Sequence, residues 1–359
     1  MTDGFDMALD GLRVVECSAG DAGGFCGHAL ASMGASVVAI HHAADTRRRS
    51  DGRAIDVLKQ TAELDLDTDQ GMAALNEFCR DAMVFIEERP PAGWYRDGQL
   101  AARLLARNQD LLAVCITPFG LTGDHAEYVA YPLNCYHAGG HAQQIPRNDL
   151  WPEYKVRAPM QAGGEWGEAQ CGLLAAVATL AAVLGGPDYR GRVIDCSKQE
   201  ALISLNWTEV VRYPNDGKTI SRLDPYVTFV GGVLPARDGY IQLVIMEEHQ
   251  WQATLQLFGS PKWALSPALQ SQADRCKASE QVAGLLAQET IRFEREDLFR
   301  RGQDLGLAIS PVMTVSEVLM DGALRNRGAW RPHTDPVGKP FWTPRWDGSL
   351  IEPVGEWHR

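Results

Sequence analysis

The stretch with the most evident chemistry is Ser18-Ala19-Gly20-Asp21-Ala22-Gly23-Gly24, a run of small residues between a short apolar segment and a compact helical pattern. Small side chains let the backbone N–H groups of a helix start approach an anion, and the helix dipole favours negative charge there. Such a loop could hold a phosphate, although a tight strand-to-helix turn without ligand has the same composition. Three other polar clusters end apolar segments: His41-His42, Glu87-Glu88-Arg89-Pro90 and Thr117-Pro118-Phe119-Gly120-Leu121-Thr122-Gly123. Arg47, Arg48 and Arg49 form a basic run that could meet a ribose phosphate, and an ordinary solvated charge run accounts for it equally well. The eight cysteines show no CxxC spacing and read as small buried hydrophobes, so neither disulfide staples nor a metal site is expected.

The elements that must position these groups follow from hydrophobic periodicity. Leu12–Cys17 and Ser36–Ile40 read as buried strands on either side of a helix near Phe25–Met33, which Gly34 stops. A short strand at Glu63–Leu66, an amphipathic helix at Thr68–Asp81, a strand at Met83–Ile86, a helix at Gln99–Arg107 and a strand at Leu111–Ile116 continue the alternation. Alternating strands and helices imply an α/β fold with a parallel, doubly wound, Rossmann-like sheet, and ligands in such sheets sit beyond the carboxyl ends of the strands. The polar Asp124–Gly164 region is weakly periodic and is expected to be an irregular active-site or interface loop. Trp166–Val183 reads as a small-residue helix that lets another helix approach closely, and Gly191–Leu205 as strand then helix. Composition changes near Asn215. Strands at Tyr226–Gly232, Val233–Ala236 and Tyr240–Ile245, then helices at Glu248–Leu257, Ser279–Gln288 and Arg295–Asp304, predict a smaller α+β domain. The expected division is a large domain over 1–214, a small domain over 215–320 and a C-terminal segment over 321–359 that returns to the large one.

The 359 residues carry a net charge of −12 and a pI near 5.2, which argues against nucleic acid or an anionic membrane as partner. An anionic ligand must therefore find a local basic pocket. Met1-Thr2-Asp3-Gly4 does not read as a secretory leader, and the apolar stretch Leu173–Leu184 is short for a bilayer, so a cytoplasmic protein is expected.

Several strings, taken in order, resemble one family, the class III CoA-transferases (CaiB/BaiF). They are Leu12–Ser18 with Ala22-Gly23 and Met33-Gly34-Ala35; Lys59 before Glu63-Leu64-Asp65-Leu66; Glu87 with Arg89-Pro90; and Ile116–Gly123. Gly191–Ser197 with Glu200-Ala201, Asp238-Gly239-Tyr240-Ile241, and Leu305–Ala308 with Pro311-Val312 complete the set. The resemblance implies a Rossmann-like large domain, a small domain and two subunits threaded as interlocked rings, as a homodimer or a heterodimer with a homologue. It implies an acyl-CoA thioester as substrate, with coenzyme A as the carried group, no metal, and a carboxylic acid acceptor in the transferase members.

Residue by residue, the resemblance places Ser18, Ala22, Gly23, Lys59 and Arg89 near the CoA phosphates. His41 stands where family members usually carry an acid. The transferase aspartate, which attacks the thioester to give a mixed anhydride, aligns with Pro132, and Asp124 and Glu127 are offset from it. The α-methylacyl-CoA racemase members instead move the proton α to the thioester carbonyl with a histidine and carboxylates. Tyr131 takes the histidine's place, with an ordinary pKa near 10 that suits an acid better than a base. His137 and His141 lie just downstream; histidines in such a loop also serve as surface groups. Glu168, with Glu165 a turn earlier, and Glu248, next to Glu247 and ahead of Gln250-Trp251, match the carboxylates, although either could simply open a helix. Trp151, Trp166, Trp207 and Trp251 could line an acyl pocket or a core. Three functions follow from the resemblance: CoA transfer with Pro132 at the nucleophile position, racemase-like proton transfer, or a degenerate subunit beside an active homologue.

Overall fold

The computed structural model describes residues 7–43, 54–88, 100–145, 158–219, 221, 228–335 and 338–345. Its contacts form two compact units, one of Met1–His141, Gln161–Val211 and Ala323–Arg359, the other of Ala142–Met160 and Arg212–Gly322.

The first unit is built on six parallel strands: β1 (Arg13–Ser18), β2 (Ser36–His42), β3 (Gln60–Leu64), β4 (Val84–Glu88), β5 (Leu112–Thr117) and β6 (Val193–Ser197). Their order is β3-β2-β1-β4-β5-β6. The helices are α1 (Asp21–Ser32), α2 (Asp69–Cys79), α3 (Leu100–Arg107), α4 (Pro132–Ala138), α5 (Trp166–Leu184), α6 (Lys198–Leu205) and α7 (Trp207–Asp216), the last running into the second unit. Strand side chains alternate between faces. Val15, Cys17, Phe85, Ala113 and Cys115 pack with Leu75, Leu104 and their neighbours from α2 and α3. The alternate residues of β1 and β4 point the other way, to the side of α1 and α5. Ser18 and Glu88 are register partners across β1 and β4, and both are buried.

Helix α5 packs along α1. A Cβ on Gly172 would run into the Ala22 carbonyl oxygen, so the close approach requires glycine there. By length and composition α5 could cross a membrane, but its Gly167, Glu168, Cys171, Gly172, Ala175, Ala176 and Thr179 are buried in this unit.

The second unit holds the antiparallel sheet β7 (Val230–Ala236), β8 (Gly239–Ile245) and β9 (Ala308–Pro311), with helices α8 (Glu248–Leu257), α9 (Gln272–Lys277), α10 (Ser279–Thr290), α11 (Arg295–Asp304) and α12 (Val315–Met320). Leu234, Ile241, Leu243, Val282 and Leu286 are among its fully buried core. Helix α13 (Gly322–Asn326) and the hairpin β10 (Trp330–Thr334) with β11 (Pro340–Pro344) follow.

Three expectations are corrected. Helix α1 begins at Asp21, so Gly23 and Gly24 are helical rather than loop. The Asp124–Gly164 region contains α4 and a 3-10 turn at His141–Gln144. The break read between Gly232 and Val233 does not exist: Gly231 and Gly232 adopt positive φ of 108° and 97° inside one continuous strand.

Candidate functional site

The amino end of α1 meets a buried cluster of charges. Lys198 Nζ, from the first residue of α6, donates to Glu88 Oε1 at 2.6 Å and to Glu168 Oε2 at 2.7 Å. Gly23 N–H donates to Glu88 Oε2 at 2.7 Å, and Ala22 N–H to Glu168 Oε2 at 3.3 Å. Four elements therefore converge: the last residue of β4 and the first turns of α1, α5 and α6. The side chains of Lys198, Glu88 and Glu168 are 8%, 1% and 4% exposed, so water screens these pairs little. Burial, and then Glu88, push the Glu168 carboxyl above its ordinary range. Burial acts to lower the Lys198 pKa, but the two carboxylates outweigh it and hold the ammonium charged. The glycines are sterically required: a Cβ on Gly20 would run into Glu88 Oε1, and one on Gly23 into Ser18 Oγ.

Ser18, Ala22 and Gly23, expected at the CoA phosphates, are thus buried, and the two N–H groups donate to the chain's own carboxylates instead. Lys59 is likewise engaged. Its ammonium is fully buried and donates to Glu16 at 2.6 Å, to the Gly24 carbonyl at 2.8 Å and to Asp56 at 3.1 Å. It lies inside the molecule, where a phosphate on the surface cannot reach it. His41 faces Asp56 at 3.5 Å. Arg89, Arg47, Arg48, Arg49 and Trp151 fall outside the described residues.

Glu88, Lys198, Glu16 and Asp56 were not singled out from the sequence as site groups. The signal that could have found Glu88 is an acid at the end of an otherwise apolar, doubly buried strand, since a buried carboxylate needs a cation.

Pro132 is the first residue of α4, where its missing N–H is no loss. Asn134 Oδ1 accepts from the Tyr131 N–H at 3.0 Å and closes the helix start. Tyr131 is 59% exposed. His137 is exposed, and its Nδ1 lies 2.8 Å from the Leu133 carbonyl. A carbonyl only accepts, so Nδ1 is the donor in this contact. His141 places Nε2 2.7 Å from the Leu202 carbonyl and packs against Tyr136 and Trp166, whose ring centroids lie 5.7 and 5.3 Å away. Cys135, one turn into α4, is no substitute nucleophile, because burial pushes its thiol up to about 11. At the start of α5, Glu165 is exposed while Glu168 is 3% exposed and bonded in the cluster.

Glu248 belongs to the second unit. Arg275, fully buried, donates to it at 2.6 Å, and its guanidinium lies 4.7 Å from the Trp251 ring centroid. Hydrogen bonds from Gln252 and Arg275 hold the Glu248 carboxyl below its ordinary range, which weakens it as a base. Trp251 is core, 2% exposed, whereas Trp207 is exposed.

The chain matches the model of CoA-transferase family III over residues 9–350. It is 23% identical over 346 residues to a succinate–glutarate CoA-transferase of Agrobacterium fabrum, covering 89% of this chain and 84% of that protein. It is 27% identical over 331 residues to an α-methylacyl-CoA racemase of Mus musculus, covering 90% and 82%. Among solved structures, a CaiB/BaiF family protein from Brucella suis has a similar fold, with a TM-score of 0.78 at 24% identity over 94% of this chain and 91% of that one.

Proposed function

From its place in CoA-transferase family III, to which this chain belongs, we propose that it transfers coenzyme A between an acyl-CoA thioester and a carboxylic acid. The observation that carries this reading is the family match over nearly the whole chain, with a relative named as a transferase of this kind. Pro132, seated as the first residue of α4, sets the form of the reaction. With no side-chain nucleophile there, the acceptor's own carboxylate attacks the thioester carbonyl. The C–S bond breaks to release CoA thiolate and leave an acid anhydride. The thiolate then attacks the acceptor carbonyl of that anhydride, giving the new thioester and the donor carboxylate. No acyl group is ever attached to the protein. The test is steady-state kinetics with a panel of acyl-CoAs and acids: intersecting double-reciprocal lines are expected. Ping-pong kinetics, or an acyl-enzyme trapped by hydroxylamine, would sink this form of the mechanism.

A second reading is α-proton exchange, favoured by the racemase among the relatives and by Glu165, the exposed carboxylate at the start of α5. Deuterium entering the α-carbon of an acyl-CoA without any acceptor acid would support it. Exchange unchanged in Glu165→Gln would remove that residue from it. A chain that performs neither reaction until a homologous subunit is added would be a degenerate partner. The proposal extends to a dimer in the cytoplasm. Val177 and Leu184 of α5 and Trp207, Val210 and Val211 of α7 are exposed apolar groups that a second subunit could cover, and the eight free thiols suit a reducing compartment. Light scattering at micromolar concentration checks the dimer.

A further inference from the structure

A helix start beneath the carboxyl edge of a parallel sheet is an anion site waiting for a phosphate. In this chain the position is filled. The Gly23 and Ala22 N–H groups, which would face the anion, donate to Glu88 and Glu168. Glu88 arrives from the end of β4 and Glu168 from the first turn of α5, so the two carboxylates reach the same helix turn from different elements. Two buried carboxylates side by side would repel one another, and Lys198 lies between them, bonded to both. Ser18 Oγ is buried with no hydrogen-bond partner among the described residues, and it is packed so closely on Gly23 that even a methyl group there would collide with it. Ser18, Ala22 and Gly23, which the resemblance places at a pyrophosphate, therefore do not fit one.

We infer that Glu88, with Glu168 beside it, is a built-in substitute for a ligand anion at the amino end of α1, and that Lys198 is the positioning residue that makes the substitution tolerable. The turn from Ser18 to Gly24 is held in its conformation whether or not substrate is bound. The phosphates of CoA, on the acyl-CoA reading proposed above, are met by other groups.

Chemical rescue tests this. Glu88→Ala removes one carboxylate and leaves the Gly23 N–H and one side of Lys198 unmet around a space of carboxylate size. Formate or acetate, added at constant ionic strength against chloride, should raise the melting temperature of Glu88→Ala saturably and leave the wild type unmoved. Glu88→Gln, whose amide fills the space, should show no rescue. If Glu88→Ala does not fold in chloride, recovery of folded protein on refolding in acetate is the same readout. Equal responses of variant and wild type would overturn the inference. In the wild type, hydrogen exchange at Ala22 and Gly23 should be the same with and without CoA or inorganic pyrophosphate, and Ser18→Ala should keep its CoA affinity within about twofold. Protection of those two amides by either ligand, or a tenfold loss of CoA affinity in Ser18→Ala, would overturn it as well. A wild type that binds no CoA at all would defeat the acyl-CoA proposal, while the acetate response would still decide the role of Glu88.

Discussion

Replacing Lys198 with methionine keeps the length of the side chain and removes its charge. In the wild type the ammonium is 8% exposed and hydrogen-bonded to two carboxylates that are 1% and 4% exposed. Breaking a buried ion cluster by deleting one partner leaves uncompensated charge and costs about 3–5 kcal/mol. For a unit of this size each kcal/mol lowers the melting temperature by about 2–4 °C, so a fall of roughly 6–20 °C is expected. The pH dependence gives a second handle. Without Lys198 the two carboxylates face each other in a dry site, so their folded pKa values lie above the unfolded value near 4.3. A carboxyl with a raised folded pKa binds its proton more tightly in the native state, so stability is lost as pH rises through that value. The deficit of Lys198→Met should therefore be smaller near pH 5 than near pH 8. The assay is thermal and urea unfolding of both proteins across that range, with hydrogen exchange at the start of α1 as a local probe. A melting temperature within about 2 °C of the wild type, with a difference that does not change with pH, would refute the buried-cluster reasoning.

Five further outcomes are expected. Gly27→Ala should destabilise by about 1–3 kcal/mol because the new Cβ runs into Glu16 Oε2. Gly284→Ala, in α10 with open space around it, should stabilise by about 0.5–1 kcal/mol; urea unfolding reads both signs. Arg275→Met should cost the second unit about 2–4 kcal/mol through loss of the Trp251 stacking and of the donor to the buried Leu269 carbonyl, measured by the tryptophan fluorescence of the urea transition. Arg295, then Thr314, hold the Glu317 carboxyl down to about 2, so an NMR titration should show it ionised until pH falls toward that value, and any stability it lends is lost over the same descent. Cys135 should resist iodoacetamide at pH 8 while folded and react in urea, since burial pushes its thiol up to about 11.

The parallel sheet was legible because β1, β4 and β5 are buried on both faces and read as short, mostly apolar runs. Local signals also placed α2, which Thr68 caps through the Gly71 N–H, and the turn at Arg237-Asp238 that joins β7 to β8. The buried charges were not legible, because what satisfies them is remote. Glu88 is bonded by a lysine 110 positions away, and Ala22 by a glutamate 146 positions away. A strand reading that ends at Ile86 is sound locally, since two acids ordinarily mark the way out to solvent. It fails here because Lys198 lets Glu88 stay inside. The same contact explains α1. Gly23-Gly24 has low helix propensity and reads as loop, yet the packing of Ser18 and Glu88 against the helix excludes any side chain at Gly20 and Gly23.

The two buried lysines flank one turn of one helix. Lys198 reaches the carboxylates that accept from the Ala22 and Gly23 N–H groups, and Lys59 reaches the Gly24 carbonyl together with Glu16 and Asp56. Each ammonium faces two carboxylates, so each cluster carries surplus negative charge when fully ionised, and the positive end of α1 offsets part of it for the first. Buried ion clusters are weak sources of net stability, and what they secure is one arrangement of the chain. On the inference drawn above, the Ala22 and Gly23 N–H groups are engaged by the chain's own carboxylates and not by a substrate. Among the described residues of this unit, Tyr131 at the start of α4, His137 within it and Glu165 at the start of α5 are exposed polar groups. With proline at 132, the transferase reading proposed above proceeds by attack of a bound carboxylate, and the second reading by movement of the α-proton. They separate on a single bond. In the first the α-C–H survives every turnover and the C–S bond breaks; in the second the reverse holds, and one mass spectrum of an acyl-CoA recovered from deuterated buffer tells them apart.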